Sequence, residues 1–385
     1  MVTKIIDLSN YKLHKALSNE IKSKLFYISD EIINFDIYIG LEYIENITFY
    51  MEKDVNIENK LEILIKHDLK SAQIINDKIL WQSDKKADCY YDLYEKMKQS
   101  EMIHEYSYGF VALSEPLISL MNYIDEKIKK FCVLDLQAVE YLYPTMIDMK
   151  TVDKCGYMNN SPHMLFFINQ LHNDIDNYVS FKKSYNKNKT INKTFLKNID
   201  YCLPPTMCYH TYRQLEGKKI NNSIYTSKGK SFRYENKYAN TIERLWDFTI
   251  RETVFFGSYA FVSEIKNKIM EFVRNLVNEL NLTGFCRNAN DPFFMDENAA
   301  HNAKFQKKLN SKIELCLNIQ TNKTIAVGSI NYHDSFFCRN FDIKKDGEGE
   351  FVSGCTGFGL ERFAYAFICQ HGFDINQWPI NLIFK

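Results

Sequence analysis

Two stretches of the chain concentrate side chains that could do chemistry. In Gly229–Gly257, GKSFRYENKYANTIERLWDFTIRETVFFG, Arg233 and Glu235 alternate in what reads as a strand, so both project from one face. After a polar, turn-rich interval, a second extended run from Leu245 to Phe256 presents Trp246, Phe248, Ile250, Glu252 and Val254 to one face. A carboxylate on an otherwise apolar face is costly unless it is paired or bound to metal, which makes Glu252 a candidate for either. The second stretch is Ser353–Arg362, SGCTGFGLER, where Gly357 and Gly359 permit close approach of a ligand or backbone and Arg362 opens a helix. Two arginines are what chemistry at a phosphate requires, since it needs positive charge on phosphate oxygens more than a protein nucleophile. Taken alone, the glycines fit an ordinary tight turn equally well, for they form neither GxGxxG nor a phosphate loop.

Ten cysteines are scattered through the chain without a regular framework, which suits free thiols or a metal site in a reducing compartment. Cys208 and His210 stand two apart on an expected strand, so they could share a face and a metal; with no third ligand nearby, a pocket-lining or core role fits better.

The elements that must position these groups read as α+β. Residues 1–105 mix a strand pattern (Ile47, Phe49, Met51) with helical spacing (Leu61, Leu64, Ile65, Leu69), giving a small α/β appendage without recognisable chemistry. The catalytic domain is expected over 106–385. Leu117, Leu120, Met121, Ile124 and Ile128 mark a helix, followed by an extended stretch from Val133 to Tyr143 that ends at Pro144. Residues 181–200, with Lys182, Lys183, Lys187, Lys189, Lys193 and Lys197, read as a polar, solvated surface insertion. Ile265, Ile269, Phe272, Val273, Leu276 and Leu280 form a second amphipathic helix, and Thr324–Ile330 a buried strand. A short strand at Phe351 and Val352, a glycine turn and a helix over 360–370 close the domain, so the expected fold is an antiparallel sheet flanked by helices. With Lys+Arg 48 against Asp+Glu 48, the chain lacks the global charge signature of nucleic-acid or lipid binding. No signal peptide or run of ~18 apolar residues is visible, so a cytoplasmic protein without a membrane segment is expected.

Together the two stretches resemble motifs 2 and 3 of the class II aminoacyl-tRNA synthetase catalytic domain: FRYE at Phe232–Glu235 with Phe248 on the returning strand, and GFGLER at Gly357–Arg362. Tyr141–Ile147, with Pro144, is similar to motif 1, the dimer-forming strand. The resemblance narrows to the amino acid:[carrier protein] ligases, relatives of the atypical zinc-dependent seryl-tRNA synthetase core. It is carried by CGYMNNSPH (Cys155–His163), CYHTYR (Cys208–Arg213), ERLWDFTIRETVF, NDPFF (Asn290–Phe294), SINYHDSFF (Ser329–Phe337) and FICQHGFDINQWP (Phe367–Pro379), in order over about residues 105–379.

This resemblance implies ATP-dependent activation of a small amino acid and transfer to the phosphopantetheine thiol of a carrier protein, by a homodimer. Arg233 would hold the α-phosphate and substrate carboxylate, Arg362 the terminal phosphates, Glu235 the adenine amino group, and Phe248 would stack on adenine. Zinc would be held by Cys155, Glu252 and Cys355, with the substrate amine at the open fourth position; Cys208, His210, Asn331 and His333 would line the amino-acid pocket beside Glu252. Magnesium would accompany ATP, with Glu314 a candidate ligand, although Thr324–Asn331 lacks the carboxylate that seryl-tRNA synthetases place there. His333 and Asp334 could suggest a base pair, but neither step needs a dedicated protein base. The alternatives are a seryl-type aminoacyl-tRNA synthetase, disfavoured by the neutral charge and the absence of a long helical arm, so that tRNA is an unexpected partner, and a non-catalytic paralogue sensing an amino acid or nucleotide.

Overall fold

Alternation of buried and exposed residues builds the first unit. β1 (Val2–Asp7), β2 (Ile32–Ile39) and β3 (Ile44–Met51) form an antiparallel sheet in the order β1-β3-β2. Ile47, Phe49 and Met51 face inward with Leu61, Leu64 and Ile65 of the helix Glu58–Leu64 and its end. The computed structural model describes residues 1–66, 78–85, 93–235, 241–289 and 311–380, and Leu69 and Asn290–Phe294 lie outside them. The separate core runs from Leu8 to Ile65. Beyond it the chain already joins the second unit, because Leu93, Tyr94, Met97 and Ile103 pack in the main core.

The main unit contains β4 (Ile79–Gln82), β5 (Ile103–Ser107), β6 (Phe110–Leu113), β7 (Val139–Tyr141), β8 (Ile147–Asp148), β9 (Phe166–Leu171) and β10 (Leu196–Leu203). After these come β11 (Lys219–Ile220), β12 (Ser223–Phe232), β13 (Asp247–Gly257), β14 (Gly284–Asn288), β15 (Lys312–Gln320), β16 (Lys323–Asp334), β17 (Lys344–Lys345) and β18 (Val352–Gly359). Eight of them form one sheet, ordered β4-β14-β15-β16-β18-β13-β12-β7. All its pairs are antiparallel except β7 with β12. One face is covered by the helices Leu117–Lys130, Tyr259–Glu279 and Leu360–His371. On the other lie the helices Met149–Lys154, Cys208–Leu215 and Phe336–Asn340 and the small sheet β8-β10-β9. The fold is thus α+β, an antiparallel-rich sheet flanked by helices. No helix among the described residues is long and apolar enough to cross a membrane.

Four local expectations change. The Val133–Tyr143 stretch begins as a wide helical turn, Phe131–Asp135, that extends the preceding helix, and only Val139–Tyr141 is strand. Residues 181–200 divide between the helix Ile175–Asn188, a short turn of helix at Lys193–Phe195, and β10. Cys208 and His210 stand on a helix. The glycines of SGCTGFG form no turn but run through the centre of β18, where a Cβ on Gly354 would lie 2.3 Å from Phe255. Missing side chains let the strand close against its neighbours, so the glycines serve backbone approach within the sheet.

Candidate active site

Antiparallel register sets the site. Cross-strand partners share a face, and Glu314, Ser329, Gly357, Glu252 and Ser227 form one row across β15, β16, β18, β13 and β12. In the neighbouring row, Cys355 pairs with Val254 and with Asn331. The helix Cys208–Leu215 lands its first residue on this face. The Cys208 amide donates to Glu252 Oε2 at 2.8 Å, and the Thr206 hydroxyl lies 3.1 and 2.9 Å from the two carboxylate oxygens. Ligand atoms of Cys208, Glu252 and Cys355, all buried, lie within 4.8 Å of one another. Around Cys355 Sγ stand His333 Nε2 at 3.3 Å and Asn331 Nδ2 at 3.5 Å.

The electrostatics match a set of donors awaiting a cation. Burial and the neighbouring Cys355 charge push the Glu252 carboxyl up to about 7, against the opposing bonds from Thr206 and Cys208. The Cys208 thiol is pushed well up by burial and by its bond to Cys355, while Cys355 is held well down by that bond and by His333. Two thiols and a carboxylate suit a borderline-soft ion such as zinc, and three protein donors leave a fourth position open.

Cys155 is not in this group. It ends the helix Met149–Lys154, its amide bonded to Thr151 O, and burial drives its thiol far above the ordinary range. Of the ligand set expected from the resemblance, Glu252 and Cys355 stand in this group, with Cys208 beside them where Cys155 was expected. His210 is also displaced from the pocket. Two residues along a helix turn a side chain through about 200°, and its ring stacks on Tyr143 at 5.4 Å, away from Cys208. Burial lowers the His210 pKa to about 4.

The residues of the FRYE and GFGLER motifs gather at the ends of β12 and β13. β12 stops at Phe232, so Arg233 and Glu235 follow the strand instead of lying within it. Arg233 Nε donates to Pro205 O at 2.9 Å, and its guanidinium lies 5.4 Å from the Phe248 ring centroid. Glu235 is flanked by Arg362 at 4.0 Å and Arg244 at 3.9 Å, and Trp246 Nε1 donates to its carbonyl at 2.8 Å. Arg362 enters from the first turn of the helix Leu360–His371, whose neighbouring Glu361 accepts the Thr249 amide on both oxygens at 2.8 Å and ties that helix to β13. Arg233, Glu235, Phe248 and Arg362 thus lie near one another, with Arg244 as an additional cation.

Sequence reasoning missed Arg244 and Thr206. The first was visible as the arginine of ERLWDF, between Arg233 and Arg251; the second carried no signal, because only the fold brings residue 206 to 252. Glu314 shares the site face, yet its carboxylate lies 3.1 Å from Arg287 and 3.6 Å from Lys312.

No protein-family model matches the chain. The type-2 serine–tRNA ligase of Methanococcus aeolicus is 25% identical over 276 residues, covering 69% of this chain and 53% of that protein. The one from Methanocaldococcus jannaschii is 26% identical over 278 residues, covering 68% and 53%. The chain spans about half the length of the curated relatives it matches. M. kandleri SerRS, solved in complex with A. aeolicus tRNASec, superposes with a TM-score of 0.70 at 16% identity, over 98% of this chain and 76% of that one. The seryl-tRNA synthetase from Pyrococcus horikoshii, complexed with ATP, gives 0.54 at 12% identity, over 76% and 61%. The fold is thus that of the class II aminoacyl-tRNA synthetase catalytic domain, and in sequence the chain is similar to the type-2 seryl-tRNA synthetases.

Proposed function

We propose that the protein activates a small amino acid with ATP to an aminoacyl-adenylate and passes the acyl group to a tRNA, as a seryl-type synthetase would. The observation that carries the activation step is that Glu252, of the Cys208–Glu252–Cys355 group, stands on the same strand, β13, as Phe248, which lies under Arg233. The substrate carboxylate attacks the α-phosphorus and pyrophosphate leaves. Arg233 orients the carboxylate and the α-phosphate, Arg362 draws charge onto the departing phosphates, and Glu235, steadied by its arginine neighbours, accepts from the adenine amine over Phe248. Zinc, when held by Cys208, Glu252 and Cys355, would supply a Lewis-acidic seat for the substrate amine. Asn331 and His333, both on Cys355 Sγ, line that seat. Magnesium would accompany ATP; Glu314 does not fit as its ligand while Arg287 and Lys312 hold it, so no step runs through it.

The acceptor reading departs from the carrier-protein thiol, because the relatives are tRNA ligases. The thiol remains the second reading, favoured by the first 66 residues, which carry eight lysines against eleven acidic residues and offer no cationic surface to RNA. Exposed Val139, Leu142 and Met146 at the β7 edge support pairing of two copies. The test is ATP/pyrophosphate exchange across the twenty standard amino acids with zinc-replete protein. Exchange with one or a few small amino acids is expected, lost in Cys208→Ala; no exchange with any of them would overturn the activation reading.

A further inference from the structure

The segment that leaves β9 and returns in β10 has a charge pattern found in no other part of the chain of its length. From Asn177 to Ile199 it holds six lysines and no acidic residue, in a protein of formal net charge +0. The helix Ile175–Asn188 buries none of its residues. It is capped by Asp174, which accepts the amides of Asp176 and Asn177, and it rests on the short helical turn before β10 through Phe181 against Phe195 at 5.8 Å.

A solvated lysine face in a neutral protein normally carries interspersed carboxylates. Several lysines elsewhere do have such partners: Lys66, Lys98, Lys129, Lys154 and Lys268 each pair with a glutamate. Among the described residues, none of Lys182, Lys183, Lys187, Lys189, Lys193 and Lys197 has an acidic partner within 4.0 Å. Tyr178 and Tyr185 are 37% and 41% exposed among them, and Lys189 lies over the Tyr185 ring at 5.6 Å. Unpaired cations interleaved with exposed aromatic rings match a phosphate backbone with unstacked bases, where lysines release counterions and rings stack.

Both feet of this arm stand on the walls of the activation site. β9 follows Met164, whose carbonyl accepts the Tyr234 amide, and β10 leads to Pro204 and Pro205, which accept from Phe232 N and Arg233 Nε. We infer that the helix Ile175–Asn188 and the turn through Lys197 form the docking surface for the phosphate backbone of the acceptor RNA. This rests on the tRNA reading and gives that reading the cationic element that the neutral chain as a whole lacks.

The test uses the full chain with Lys182→Gln, Lys183→Gln and Lys187→Gln combined, and separately Tyr185→Ala. Binding of unfractionated tRNA is titrated at several salt concentrations beside ATP/pyrophosphate exchange and thermal unfolding. The triple variant should keep exchange and unfolding temperature, lose affinity by about tenfold or more at low salt, and flatten the log K against log salt slope by about three. Tyr185→Ala should weaken binding without changing the slope. Undiminished tRNA binding and charging by the triple variant overturns this inference alone. If the wild-type chain neither binds nor charges tRNA, the tRNA reading falls. If the triple variant instead loses only aminoacylation of a phosphopantetheinylated acidic carrier protein, the surface docks a protein and the inference is overturned.

Discussion

The two faces of β13 put opposite uses of charge one residue apart. On one, Arg251 is 2% exposed and closes an ion network, with Nε and Nη2 on Asp125 at 2.7 and 3.0 Å and Nη1 on Glu140 at 2.8 Å. On the other, Glu252 lies beside two thiols and is pushed up to about 7. The first is an interaction completed within the fold, and the second is a cluster of buried donors that could hold a metal ion. Alternation along one strand separates stability from chemistry, so mutations at adjacent positions should fail in different assays.

The largest effect should come from the cation side. Glu252→Ala or Cys355→Ala should remove bound zinc, near one per chain in the wild type, and lower exchange by on the order of a thousandfold. Metal analysis on Cys155→Ala sharpens the contrast, since that variant should keep its zinc; its loss there would restore the ligand set first expected. On the network side, Arg251→Ala should cost about 3 kcal/mol in urea unfolding, because it leaves Asp125 and Glu140 short of their shared partner. Burial alone would raise the Asp125 pKa, but Arg251 and Lys228 overrule it and hold the group below the ordinary carboxylate range. A depressed folded pKa stabilises above the unfolded value and is lost as pH falls through the folded one, so the gap between wild type and Arg251→Ala should narrow below about pH 4.

Arg233→Ala should reduce exchange by about a hundredfold while zinc content and stability stay unchanged, since the guanidinium acts on phosphate charge. Near-wild-type exchange in that variant would break the assignment of the nucleotide side. The smallest expected effect is at His333. His333→Phe keeps a ring against Phe337, 4.7 Å away, but removes the contact to Cys355 Sγ, so zinc affinity in chelator competition should fall by about tenfold.

The Glu252 face was legible in sequence because a two-residue period needs no knowledge of the fold, and the run from Leu245 to Phe256 states it directly. The aromatic, Arg, x, Glu spacing likewise survived, although Arg233 and Glu235 lie past the strand end. Cys208 was mistaken because CYHTYR is short enough to read as strand or helix, and that choice decides whether residues 208 and 210 share a face. Nothing local could choose between Cys155 and Cys208, since the ligands meet only through sheet register and a helix landing on it. The β18 glycines were read as a turn because glycine in a strand interior is uncommon, and their reason, contact with Phe255 and Ile250, is tertiary. Lysine content along 181–200 reads as composition bias in sequence; its distinguishing mark, six lysines from 177 to 199 without a carboxylate among them, gains weight from the exposed helix that carries three of them.

β18 presents Ser353, Cys355, Gly357 and Gly359 to the site face, so beside its sulfur the floor of the pocket is bare backbone. A methyl on Gly357 would stand 2.8 Å from Ile250 Cδ1 and 3.6 Å from Glu252 Oε1. If the proposed activity holds, Gly357 is closed to anyone retooling substrate range: a side chain there cannot be added unless Ile250 gives way.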